Sequence, residues 1–144
     1  MKNLFYAELT KNREHNENQN MNIFANCLIT IVALLHFYFL LLEMVFWTKP
    51  LGLKAFRQTL QRAEDTKVLA ANQGLYNGFL VAGLCWSLFT PNIDMAMPLA
   101  VFFLSCVVVA GVFGAMTVSR KIFVIQAVPA LLALGALYLK DFFN

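Results

Sequence analysis

Charge is scarce in this chain. Only 13% of its 144 residues are Asp, Glu, Lys or Arg, against roughly 25% in an ordinary soluble domain. Residues 68–89, 95–118 and 122–139 carry no charged side chain, and residues 23–47 carry one, Glu43. A normal water-facing surface is therefore excluded. Cysteine is also scarce: Cys27, Cys85 and Cys106 fall in separate apolar runs. They form no pair with metal-ligand spacing and read as small buried hydrophobes rather than a disulfide framework. Of two histidines, His15 lies in a polar leader and only His36 lies in an apolar run. One histidine with a glutamate seven residues away does not make a metal or haem site, so no metal and no cofactor is expected. The net charge of +3 comes without a basic, aromatic surface outside the apolar runs, which excludes nucleic acid as a partner. No Ser or Cys sits beside a base in a recognisable nucleophile motif.

What the chain has is apolar surface: 60% hydrophobic residues, fourteen of them Phe. Four stretches, about 23–47, 68–89, 95–118 and 122–139, are long enough to cross a bilayer, which takes about 20 residues. Lipid cannot satisfy open backbone groups and four short strands cannot close a barrel, so the spans are predicted to be helices. The expected fold is all-α, a four-helix transmembrane bundle over residues 22–144. Residues 1–21 form a leader rich in Asn, Lys and Glu, too polar to bury anything and expected to be disordered. Met21 opens the hydrophobic part and is a plausible alternative start. The leader, together with the length of the first span, argues against a cleaved signal peptide.

Basic residues orient the helices. Lys49, Lys54, Arg57, Arg62 and Lys67 lie in the first connector and Arg120 and Lys121 in the third, against Lys2, Lys11, Arg13 and Lys140 on the other side. Seven against four predicts cytoplasmic connectors and both termini outside, in what is expected to be a bacterial inner membrane. In the first connector Leu53, Phe56, Leu60 and Ala63 share one helical arc, and Lys54, Arg57, Gln58, Gln61 and Arg62 lie opposite. After Pro50 and Gly52 this describes a short amphipathic helix at the interface, whose cationic face suits anionic lipid headgroups. Thr90-Pro91-Asn92-Ile93-Asp94 reads as a tight turn, and Ser119-Arg120-Lys121 closes the last two helices into a hairpin.

Polar residues inside the spans are the candidate site, because such groups are expensive in lipid and mark function or buried networks. His36 and Glu43 are seven apart, about 20° short of two turns, and Trp47 continues the stripe. The next span runs the other way, which brings Asn72, Gln73, Tyr76 and Asn77 to the same depth. The spacing thus predicts a cytoplasmic-side pocket with His36 and Glu43 as acid and base. Trp47, Asn72, Gln73, Tyr76 and Asn77 would be its substrate-binding walls. Gly74, Gly78 and Ala82, and in the third span Ala110, Gly111, Gly114 and Ala115, are small-residue stripes that let helices approach closely. Pro129 in the fourth span predicts a kink whose freed carbonyl finds a neighbour.

The string Leu69-Ala70-Ala71-Asn72-Gln73-Gly74-Leu75-Tyr76-Asn77-Gly78-Phe79, with His36, Glu43 and Trp47, resembles the small integral membrane family called domain of unknown function 1304. The resemblance covers about residues 21–142 and implies four transmembrane helices and a mostly bacterial and fungal distribution. It implies no activity. Three functions fit the residues. The first is binding, or acid–base conversion by isomerisation or hydration, of a small lipophilic molecule, since a carboxylate and an imidazole in a dry site can exchange a proton near neutrality. The second is a proton-coupled transporter or channel component, assembled as a homo-oligomer. The third is a structural membrane protein whose polar residues only join helices. Whether the chain is an enzyme stays open at this point.

Overall fold

A computed structural model describes the backbone of residues 2–142 and the side chains of residues 23–139 except residue 93. The described chain is all-helical: α1 (Lys2–Met44), α2 (Pro50–Phe56), α3 (Leu60–Phe89), α4 (Ile93–Thr117), α5 (Arg120–Ile122), a π-helical turn (Phe123–Ala127) and α6 (Val128–Phe142). Three stretches, Ile23–Met44, Asp94–Thr117 and Arg120–Leu139, are long and apolar enough to cross a membrane. The second expected span, 68–89, lies in α3 and falls short of that apolarity because Asn72, Gln73 and Asn77 dilute it.

One helix boundary differs from the sequence expectation. The first span is the later part of α1, which stops at Met44, so Trp47 is not on it. The amides of Val45 and Phe46 both donate to Leu41 O at 3.0 Å, which closes the helix before the chain turns toward Pro50. Pro50 then starts α2 from an extended Lys49, the backbone shape that a following proline favours.

The amphipathic arc expected over residues 53–63 is broken in the middle. Arg57 takes a left-handed conformation with φ of 50° and ends α2, and Gln58 N–H donates back to Leu53 O at 3.1 Å. Thr59 then caps α3, its hydroxyl accepting from the Arg62 N–H at 3.3 Å. Gly52 lets α2 fold onto the end of α1, since a Cβ there would run into the Phe46 carbonyl. The Thr90–Asn92 turn matches expectation, with Asn92 Oδ1 accepting from the Asp94 amide at 3.1 Å.

The core joins residues of four helices: Ile29, Val32 and Ala33 of α1, Leu84 of α3, Ala100, Leu104 and Val107 of α4, and Ala130 and Ala133 of α6. Neighbouring helices run antiparallel. Gly74 and Gly78 of α3 face Met44 and Leu40, Gly83 faces the Phe103 ring, and Gly111 and Gly114 face Ala127 and Ile122. Along α3 and α1, and along α4 and the chain that follows it, one number rises as the other falls. Gly74, Gly78, Gly111 and Gly114 of the small-residue stripes lie on these contact lines, whereas Ala82 and Ala110 are exposed. Pro129 is accommodated by widening rather than by a free kink. Its ring would clash with the carbonyl four residues back, and the π-helical turn Phe123–Ala127 just before it gives the room, with Val128 N–H donating to Phe123 O. Outside the core, large apolar side chains such as Phe89, Met116 and Leu69 are 72–82% exposed, a surface suited to lipid and not to water.

Candidate functional site

On α1 the buried positions Ala25, Ile29, Val32, Ala33 and His36 recur at spacings of three and four, and Glu43 stands seven beyond His36. The seven-residue interval read from the sequence thus places the imidazole on the helix's packed face. His36 is 1% exposed. Its Nδ1 lies 2.9 Å from Val32 O; a carbonyl only accepts, so Nδ1 carries the proton and donates. That leaves Nε2 buried, with no hydrogen-bond partner among the described residues. The Phe39 ring meets the imidazole edge-on, centroids 6.0 Å apart.

On α3 the buried residues Ala63, Ala70, Asn77 and Leu84 are seven apart, a seam of its own, flanked by Gly74. A Cβ at Gly74 would lie 2.5 Å from Met44 Cγ and 3.2 Å from Glu43 Cβ, so glycine is what brings α3 against the Glu43 turn of α1. There Asn77 Nδ2 donates to Glu43 Oε2 at 2.7 Å and more weakly to Gln73 O at 3.4 Å. The bond between Glu43 and Asn77 crosses between the helices.

Asn72, Gln73 and Tyr76 do not join it. All three are exposed, and Tyr76 packs beside Phe79 on the outer surface. A helix turns about 100° per residue, so Gln73, Tyr76 and Asn72 lie about 40°, 100° and 140° away from Asn77. The side of α3 that faces α1 lies toward Gly74, about 60° from Asn77 and away from Gln73, so Asn77 alone of the four meets Glu43. The predicted convergence of six polar side chains is corrected to one interhelical pair, Glu43 and Asn77, with His36 buried further along α1.

Trp47 is also placed differently. Beyond the end of α1 its Nε1–H donates to Ala63 O at 3.1 Å and Thr66 Oγ1 at 3.2 Å, and its ring sits 4.7 Å from that of Phe56. It ties the connector to α3, and its one polar hydrogen is already shared between two acceptors. The sequence carries no signal for Thr66 as its partner, because the pairing depends on where the turn after Met44 leads.

The described residues hold no group of three or more His, Cys, Asp or Glu able to bind a metal ion. Two open grooves lie elsewhere. One runs along α4 between Phe102, Cys106 and Phe113, and the other lies where α4 meets α5, between Met116, Arg120 and Phe123. Neither is lined by His36, Glu43 or Asn77.

A relative from Lactococcus lactis subsp. lactis (strain IL1403), the Uncharacterized protein YpaA, is 28% identical over 118 residues, 79% of this chain and 96% of the relative. No solved structure matches the chain. The family model described as Protein of unknown function (DUF1304) matches residues 30–138, a stretch that contains His36, Glu43 and Asn77 together with most of the helical core. This chain belongs to that family.

Proposed function

We propose that the chain is a four-span integral membrane protein whose α1–α3 seam binds a small lipophilic molecule and moves a proton on it. His36 and Glu43 are the acid–base pair, and Asn77 orients the Glu43 carboxylate. The observation that carries the reading is His36 Nε2, a polar atom of a side chain only 1% exposed that has no partner among the described residues. Leaving such a group unpaired costs roughly 1–3 kcal/mol, and helix joining gives no return for it. His36 and Glu43 are separated by about 10 Å of helix rise, so the proton passes through the bound molecule and not directly between the side chains. Isomerisation or hydration fits that arrangement. Access is by way of Met44, 48% exposed and laid over Gly74; its flexible thioether is the movable part of the cover.

The fourth span is α3. Residues 68–89 hold no charged side chain, α3 supplies Leu84 to the same core as the three apolar helices, and it runs antiparallel to α1. With four spans the basic connectors face the cytoplasm, and both termini lie outside a bacterial inner membrane.

A second reading is favoured by the Asn77–Glu43 bond, which taken alone is a strut between two helices. The two readings separate by experiment. Glu43→Leu and His36→Phe are made singly, and both thermal unfolding in detergent and the small molecules that copurify are measured. The site reading predicts that His36→Phe is at least as stable as the parent and loses a copurifying lipophile. If stability falls in Glu43→Leu and neither variant loses a molecule, the strut reading is correct.

A further inference from the structure

The second groove suits a ligand that the α1–α3 seam does not. It occupies about 590 Å³, within the roughly 300–1,000 Å³ of ligand-binding clefts, and Ala115, Met116, Phe123 and Arg120 line it. Three of these are apolar and one is a fixed cation. Its position is defined by the candidate spans: Asp94–Thr117 ends there and Arg120–Leu139 begins there, so the groove opens at a membrane boundary with its apolar wall on the lipid side. Met116 is 82% exposed and Phe123 37%. The wall is held in place from behind, since Gly114 packs on Ile122 and Gly111 on the Ala127 backbone. The π-helical turn begins at Phe123 itself, and such turns are frequent at functional sites.

Arg120 meets no anion among the described residues. Among the described residues the carboxylates are committed elsewhere: Glu43 to Asn77, Glu64 to Lys67 and Asp65 to Gln61, while Asp94 lies in the first turn of α4, at the far end of that helix. A cation at the membrane boundary above an apolar trough is complementary to one class of molecule.

We propose that this groove is a binding site for an acidic phospholipid, with its phosphate on Arg120 and an acyl chain along Ala115, Met116 and Phe123. The site is independent of the seam: neither His36 nor Glu43 contributes to it.

The test uses the full chain in mild detergent, with native mass spectrometry counting bound phosphatidylglycerol against phosphatidylcholine of the same acyl composition. One basic side chain at a membrane surface is expected to give about a fivefold preference for the acidic lipid. Arg120→Gln should bring the ratio to near one. Arg120→Lys should keep most of it, and Lys67→Gln, a cation already paired with Glu64, should leave it unchanged. Ala115→Phe, which fills the trough without touching the charge, should lower the occupancy of both lipids. Millimolar inorganic phosphate should not displace the bound lipid. Equal binding of the two lipids by the parent protein overturns the proposal. So does an equal loss in Lys67→Gln, which would indicate a diffuse surface charge, and so does displacement by phosphate, which would indicate a simple anion site. Unchanged lipid occupancy in Ala115→Phe refutes the acyl contact even if Arg120→Gln fails to fold.

Discussion

His36 and Asn77 show how differently two buried polar residues can be legible. The position of His36 follows from an interval of seven, because that spacing keeps a side chain on the helix face that also carries Ile29 and Val32. Choosing Asn77 from among Asn72, Gln73, Tyr76 and Asn77 is harder. A helical wheel gives angles within one helix but not the direction of its partner. The deciding signal is the seven-residue interval linking Ala63, Ala70, Asn77 and Leu84, in which three small or aliphatic residues identify the fourth. At this scale a double-mutant cycle on Glu43→Ala and Asn77→Ala should return a coupling of about 0.6 kcal/mol, the average for hydrogen bonds between membrane helices, and no more than about 1.7 kcal/mol. Thermal or denaturant unfolding in detergent would measure it, and additive effects would mean that the 2.7 Å bond contributes nothing to stability. A buried imidazole nitrogen without a partner implies the opposite sign for its removal. His36→Leu should stabilise the ligand-free protein by on the order of 1 kcal/mol, seen as a higher unfolding temperature.

At the scale of elements, the long helices were readable and their ends were not. Apolar runs without charge dictate helices in lipid, whereas the point at which α1 stops depends on Val45 and Phe46 turning back to Leu41. That in turn removes Trp47 from the stripe where spacing alone puts it. The break at Arg57 is similar: the arc of Leu53, Phe56, Leu60 and Ala63 is real, but a left-handed residue divides it between two helices. The small residues that govern close approach give a matched pair of tests. Gly52→Ala should destabilise by about 1–3 kcal/mol, because its Cβ would strike the backbone carbonyl of Phe46 and lift α2 away from α1. Gly135→Ala in α6 meets nothing within 4 Å and should stabilise by about 0.5–1 kcal/mol through helix propensity. Similar unfolding temperatures for the two variants would show that the Gly52 contact does not constrain α2.

For the whole molecule, composition alone pointed to a membrane protein, and the exposed Phe, Leu and Met side chains of the fold agree with that. The number of crossings was less legible, because the residues that make α3 interesting are the ones that lower its apolarity. Four crossings put residues 1 and 144 on the same side, and three put them on opposite sides. Paired reporter fusions after residue 144 and within residues 49–67 should therefore give opposite compartments, with the connector inside. A cytoplasmic signal from both would remove α3 as a span.

The claim that His36 and Glu43 serve a bound molecule is tested most directly by native mass spectrometry of the gently extracted full chain, the parent beside a folded His36→Phe variant. A discrete small lipophilic mass is expected on the parent protein, and its loss from the variant at an unfolding temperature no lower than the parent's. The same adducts on both proteins, or none on the parent, would contradict it.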